Sequence, residues 1–217
     1  MRAVAIVAAA GSGERLGASR PKAFVTVAGR PMIEWSLDAL RAAGLADVVV
    51  ALPAGARAPD GCTGVPGGAT RSESVRRALA AAAADADAVV VHDAARPLVA
   101  PSLFTAALAA LEGAECAIAA APVTDTVKEA GPDGVVERTL DRGRLWAVQT
   151  PQAFRRAALE RALAVEEDVL RAATDDAWLV ERLGGTVRVV PSTPANFKVT
   201  TPHDLRVAEL LLGAGAS

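Results

Sequence analysis

Short apolar runs set the frame of the chain, at residues 3–7, 47–52, 88–92 and 116–121. Each is close to continuous, which marks a strand covered on both faces rather than one with a wet side. Between them apolar positions recur at helical spacing. Ile33, Leu37 and Leu40 form one stripe of a helix predicted over 32–43, opened by Pro31 and stopped by Gly44. An Ala-rich helix is expected to run from a glycine turn at 67–74 to about residue 84, and another spans 102–111. This alternation predicts an α/β fold, Rossmann-like and doubly wound around a mostly parallel sheet.

The alternation breaks over 122–148. Residues 123–128 and 135–140 read as short strands joined by Gly131-Pro132-Asp133-Gly134, a strong turn. A projecting β-arm with Arg138, Arg142 and Arg144 is the natural reading; an edge hairpin lying on the same subunit is the alternative. Beyond it, helices are expected over 155–165 and from the capping acids Asp175 and Asp176 to 183, with Gly184-Gly185 as the stop. A strand over 186–190, a short one over 197–199 and a last helix over 204–212 complete the reading. Residues 1–217 are expected to form one domain, with the arm as a subdomain at about 122–148.

Charge narrows the partners. The formal net charge is −2, so neither nucleic acid nor a membrane surface is an expected partner. No apolar run reaches spanning length and the N-terminus enters a strand directly, so a cytoplasmic location is expected. Cys62 and Cys116 lack metal-ligand or redox spacing, and no protein metal site is predicted.

The chemistry collects in loops after strands. The first reads Ala8-Ala9-Ala10-Gly11-Ser12-Gly13-Glu14-Arg15-Leu16-Gly17, followed by Pro21-Lys22. Its glycine spacing is one residue too long for a dinucleotide fingerprint, and no P-loop occurs. Free backbone N–H groups in such a loop bind anions, and Arg15 and Lys22 would complete a polyphosphate cradle; a plain glycine turn is the alternative. Lysine is scarce here, at Lys22, Lys128 and Lys198 alone. A lysine amid so many arginines suggests a place where a compact ammonium matters. No G-x-S-x-G elbow or H-E-x-x-H run occurs, so acyl transfer and metal-ligand chemistry are poor candidates, whereas phosphoryl-group transfer suits Arg, Lys, Thr and glycine loops.

Taken in order, that loop, Gly67-Gly68-Ala69-Thr70-Arg71-Ser72-Glu73-Ser74, His92-Asp93-Ala94-Ala95-Arg96-Pro97, Asp125-Thr126-Val127-Lys128, Leu145-Trp146 with Thr150-Pro151-Gln152, Thr174-Asp175-Asp176-Ala177 and Asn196-Phe197-Lys198-Val199-Thr200 resemble the 2-C-methyl-D-erythritol 4-phosphate cytidylyltransferase family over nearly the whole chain. The first loop is shared by many nucleotidyltransferases; the later runs are far more specific. The resemblance implies attack of the methylerythritol 4-phosphate on the α-phosphorus of CTP, with pyrophosphate leaving. It implies Arg15 and Lys22 as transition-state stabilisers, and Arg142 and Lys198 as the clamp on the acceptor phosphate. Cytosine would lie against Ala9, Ala10, Gly11, Gly13, Gly67, Gly68, Arg71 and Ser74, although Arg71 also reads as a surface charge at a helix entry. Asp93 would meet the acceptor's hydroxyls or a metal-bound water, or else pair with Arg96. Thr126, Thr150 and Thr174 would supply hydroxyls to the acceptor. Mg²⁺ is implied, bound mainly through the triphosphate. A homodimer is implied too, with Thr126 and Arg142 of one arm completing the partner's site. Trp178 stands where a smaller residue is common. A cytidylyltransferase for ribitol 5-phosphate or another polyol phosphate shares most of these motifs, and a non-catalytic nucleotide-binding regulatory module is the reading from another class.

Overall fold

The computed structural model describes residues 1–13, 16 and 20–214. In chain order the elements are β1 (Ala3–Ala8), a 3-10 turn (Lys22–Phe24), β2 (Thr26–Val27), β3 (Arg30–Pro31), α1 (Met32–Ala42), β4 (Val48–Leu52), β5 (Thr63–Pro66), α2 (Arg71–Ala81), β6 (Ala88–Asp93), α3 (Pro101–Ala109), β7 (Cys116–Pro122), β8 (Lys128–Ala130), β9 (Val136–Thr139), a second 3-10 turn (Arg142–Arg144), β10 (Trp146–Arg155), α4 (Arg156–Leu163), α5 (Glu167–Ala172), α6 (Asp176–Arg182), β11 (Val187–Pro191) and α7 (Pro202–Ala214).

The main sheet runs β11-β7-β10-β6-β1-β4-β5. All its pairings are parallel except those of β10, which is antiparallel to both β6 and β7. Successive side chains of a strand point to opposite faces, and the core divides accordingly. Ala5 and Val7 of β1 join Ile33, Leu37 and Leu40 of α1 and Phe104 of α3 on one face. Val4 and Ile6 join Val75 and Leu79 of α2, Leu159 of α4 and Leu179 of α6 on the other. The result is a three-layer α/β/α sandwich, the doubly wound arrangement expected. A third cluster, around Met32, Val27, Val199 and Ala208, seats α7 against the β2–β3 ribbon and the end of β6.

Several expected elements differ. Residues 146–155 form one long strand, where the sequence reading ends the arm at about 148 and assigns no strand before the helix expected from 155. The predicted strand over 197–199 is not formed; Val199 N–H donates to Ala95 O at 2.8 Å, and no ladder follows. The arm strands are shorter than expected: β8 starts at Lys128, and β8 and β9 pair as a separate two-stranded ribbon with a register shift at Glu129/Ala130. The helix α5 lacks a side-chain cap and was not foreseen.

The site lies where strand order reverses. From β1 the chain winds outward through β4 and β5, then returns to place β6 on β1's other side. Ligands of open α/β sheets bind beyond the carboxyl ends of the strands at such a point.

Candidate active site

A cleft of about 600 Å³ opens at the carboxyl ends of β1 and β6. One wall is the first glycine loop. Ala9, Ala10, Gly11 and Gly13 line it, with Lys22 beside them. Gly13 has φ +79°, and a Cβ there would stand 2.9 Å from Lys22 Cβ. Glycine is thus needed twice at this position, for its left-handed backbone and for the close passage of the lysine segment. The two segments are tied by Lys22 N–H donating to Gly11 O at 3.3 Å. Gly11 is different: a Cβ there meets no atom of the described residues within 4 Å, and Gly11 itself lines the cleft. Arg15 lies outside the described residues.

The second wall is the glycine turn and the first turn of α2. A Cβ on Gly67 would lie 2.3 Å from Ala10 Cβ, so the turn closes onto the first loop only because residue 67 has no side chain. Thr70 caps α2, its Oγ1 accepting from Glu73 N–H, while Glu73 reaches back to Ala69 N–H at 2.7 Å. Ser74 Oγ accepts from Gly68 N–H and donates to Thr70 O, both at 2.9 Å. Its hydroxyl therefore shapes the turn that carries Gly68 and Ala69 into the cleft.

The floor is charged. Asp93, the last residue of β6, accepts from Arg71 Nε at 3.0 Å on Oδ1 and from Lys198 Nζ at 2.7 Å on Oδ2. Arg71 is not a surface charge: its Nη1 also donates to Asp176, whose side chain is fully buried. Burial alone would raise the pKa of Asp93, but the charges of Arg71 and Lys198 outweigh it and hold the carboxyl well below its ordinary range. Burial likewise opposes the charge of Arg71, yet Asp176 and then Asp93 hold its pKa above the usual value. Acids and bases so alternate, Asp176–Arg71–Asp93–Lys198, and sum to zero. The pairing of Asp93 with Arg96 does not form; Arg96 Nη1 donates instead to Asn196 O at 2.7 Å.

Behind Asp93 lies a buried polar layer. Asp93 N–H donates to Thr150 Oγ1 at 3.0 Å, and the same oxygen lies 3.0 Å from His92 Nδ1. The Thr150 hydroxyl is thereby engaged inside the sheet, and what it fixes is the backbone of Asp93. Asn196 Nδ2 donates to Gln149 Oε1 and Thr150 O, both at 2.9 Å, docking the segment that bears Lys198 onto β10. Burial pushes the His92 pKa down to about 3, the charge of Arg96 adding to it and that of Asp93 opposing, so the imidazole is neutral.

The structure thus gathers Ala9, Ala10, Gly11, Gly13, Lys22, Gly68, Arg71, Ser74, Asp93 and Lys198 around one cleft, with Gly67 packed behind it. Thr126, Arg142 and Thr174 are exposed and do not line it. Arg142 is on the arm, its Nη1 donating to Thr124 O at 2.6 Å. Asp176 was missed by sequence reasoning because an acid beside an N-cap acid is sufficiently explained as part of the cap.

The family model for 2-C-methyl-D-erythritol 4-phosphate cytidylyltransferase matches residues 3–214. The chain belongs to this family. Curated relatives of that name include one from Deinococcus radiodurans, 49% identical over 214 residues that cover 98% of this chain and 90% of the relative. Another, from Frankia casuarinae, is 49% identical and covers 97% and 81%. Among solved structures, the 2-C-methyl-D-erythritol 4-phosphate cytidylyltransferase of Thermus thermophilus superposes with a TM-score of 0.82 at 39% identity, covering 97% of this chain and 98% of that one. The likeness to these family members extends over almost the whole chain and so takes in the loops that line the cleft.

Proposed function

We propose that this chain transfers CMP from CTP to 2-C-methyl-D-erythritol 4-phosphate, giving 4-diphosphocytidyl-2-C-methyl-D-erythritol and pyrophosphate, a step of non-mevalonate isoprenoid synthesis. The observation that carries the reading is the meeting in one cleft of the Lys22-bearing glycine loop with the Arg71–Asp93–Lys198 chain. A nucleotide's phosphates fit the glycine wall; a second phosphate, brought as nucleophile, needs cations of its own, and Lys198 lines the same cleft as Lys22 to meet it. An acceptor phosphate oxygen forms a bond to the α-phosphorus while the bond from that phosphorus to the bridging oxygen breaks. The leaving pyrophosphate takes the electron pair. The acceptor is already an anion, so the protein needs no general base and acts by positioning and by neutralising charge.

Lys22, with Arg15, supports the charge that builds on the α-phosphoryl oxygens and the leaving group. Lys198 and Arg142 orient the acceptor. Among the described residues no cluster of His, Cys, Asp and Glu side chains forms a metal cage, and both oxygens of Asp93 are engaged by cations. Mg²⁺, when bound, would be held mainly through the triphosphate and would neutralise phosphate charge there. Because Arg142 and Thr126 stand on an arm away from this chain's cleft, the reading includes a homodimer in which each arm serves the partner's site. The supply of CTP and a sugar phosphate fits action in the cytoplasm.

The test is pyrophosphate release with Mg²⁺ and CTP, offering methylerythritol 4-phosphate beside ribitol 5-phosphate. Release with the methylerythritol phosphate alone supports the reading. A preference for ribitol phosphate overturns the acceptor, and CTP binding without turnover on either overturns the catalytic role.

A further inference from the structure

The role of Asp176 goes unassigned in the reaction just proposed. It opens α6, directly after the capping Asp175, whose Oδ1 accepts from Trp178 N–H at 2.8 Å and whose Oδ2 accepts from Gln152 Nε2 at 2.8 Å. The cap is complete without Asp176. Its carboxylate is wholly buried, with Oδ2 on Arg71 Nη1 and Oδ1 without a protein partner among the described residues. A buried carboxylate is costly to desolvate, and a well-packed apolar residue at such a place often leaves a fold equally stable or more so. The fold alone therefore gives no reason for an ion here.

The reason lies in the donors of Arg71. A guanidinium presents a fork, and a carboxylate offered to it is commonly gripped by two parallel N–H groups, one on each oxygen. Arg71 does not grip Asp93 in that way. It gives Asp93 its Nε, on Oδ1 only, and gives Nη1 to Asp176 on the other side. Asp93 Oδ2 is left to Lys198 at 2.7 Å.

We infer that Asp176 is a positioning residue that turns the Arg71 guanidinium away from a two-oxygen grip on Asp93, so that Asp93 divides its oxygens between Arg71 and Lys198 and fixes the Lys198 ammonium at the acceptor side of the cleft. Without the buried charge, Arg71 swings onto both oxygens of Asp93 and displaces Lys198. Asp176 touches neither substrate and acts through two intermediaries. The inference rests on the cytidylyltransferase reading of the cleft, and wild-type turnover with methylerythritol 4-phosphate checks that reading by itself.

The test is a double-mutant cycle. Asp176→Asn keeps the volume and an acceptor oxygen but removes the charge. Its kcat/KM for the acceptor is expected to fall by about tenfold to a hundredfold, the scale set by misplacing a reacting group. In a Lys198→Ala background, the same substitution is expected to cost less than about twofold, because the ammonium it positions is gone. A purely structural role would lower the melting temperature and repeat the full loss in both backgrounds. Equal losses in the two backgrounds, or an Asp176→Asn enzyme within about twofold of wild type, overturn the inference. Should Asp176→Asn fail to fold, Arg71→Lys carries the same cycle. Its ammonium cannot hold Asp93 and Asp176 in the two-sided geometry, so its loss must also shrink in the Lys198→Ala background, and an additive loss overturns the inference.

Discussion

Lys22 and His92 mark two extremes of what a single cation-forming side chain does near this cleft. Lys22 lines the cleft, and the proposed reaction sets its charge against phosphate. Removing one preorganised donor to a developing charge lowers turnover by roughly 10²–10³. Lys22→Ala is therefore expected to lose that much in kcat at saturating CTP, measured by pyrophosphate release; near-normal turnover would remove the lysine from the chemistry. His92 does the opposite and stays neutral. Unfolded, it takes up a proton below its ordinary value near 6.5; folded, it does so only near 3. The unfolded state thus binds more protons between those values, and stability falls as pH falls through that window, by up to about 1.4 kcal/mol per pH unit. Denaturant melts between pH 7 and 4.5 are expected to show this slope, and His92→Gln to flatten it. Asp93, with its depressed pKa, adds its own loss only below the ordinary aspartate range. Sequence reasoning reaches Lys22, Asp93 and Lys198 because each stands in a run that no core or turn demands. It cannot reach the buried halves of their partnerships. Asp176 looks like part of a cap, and Thr150 like a hydroxyl for the acceptor, until the fold brings α6 and β10 against Asp93.

Among the elements, the central parallel strands β1, β4, β6 and β7 were legible because both faces of each are buried and apolar, and β10 was not, for a definite reason. Its run Trp146–Arg155 contains Gln149, Thr150, Pro151 and Gln152, polar residues and a proline that interrupt the apolar pattern of a central strand. Inside the sheet those side chains have partners on other elements: Thr193 O and Asn196 for Gln149, His92 for Thr150, Asp175 for Gln152. Proline, excluded from most central strands, falls here within the register irregularity between Val148 and Gln152. The β2–β3 ribbon was also missed, being only two residues a side. Its turn carries a correctable flaw. Ala28 has φ +47° and Gly29 φ +78°, the backbone of a two-residue hairpin turn that favours Asn-Gly. An L-residue held in the left-handed region costs roughly 1–2 kcal/mol, less for Asn. Ala28→Asn is expected to stabilise the protein by about 0.5–1 kcal/mol and to raise the melting temperature in a thermal scan by about 1–4 °C. An unchanged or lower midpoint would show that the turn bears no strain.

The whole molecule presents a winding sheet with its cleft at the reversal of strand order, and an arm that leaves the sheet between β7 and β10. The general architecture follows from the alternation of strands and helices, but the path of the arm does not, since a short polar hairpin looks the same wherever it lies. On the arm and the strand that leaves it, Val135, Val136, Trp146 and Val148 are exposed, Val135 at 62%. If two chains exchange arms as proposed, Val135→Ser with Val136→Ser is expected to shift the protein toward monomer in light scattering after size exclusion, and to lower turnover with it. A monomeric double variant with full activity would separate the arm from catalysis.

The run of β10 has one more consequence. Its first residues pair with β7 at the arm's root, Trp146 opposite Pro122 and Ala147 opposite Ala121, and its later ones lie between β6 and β7 in the core, Gln152 opposite both Val91 and Ile118. Side chains along a strand alternate with a period of two, so sliding β10 by a single residue would send Phe154 out of its hydrophobic cluster and Thr150 off the backbone of Asp93. Length is therefore free to drift at the Gly131–Gly134 turn, where one more residue only lengthens a loop, and is quantised past Leu145. Insertions and deletions have a place to accumulate on one side of that boundary, and on the other the chain must keep count.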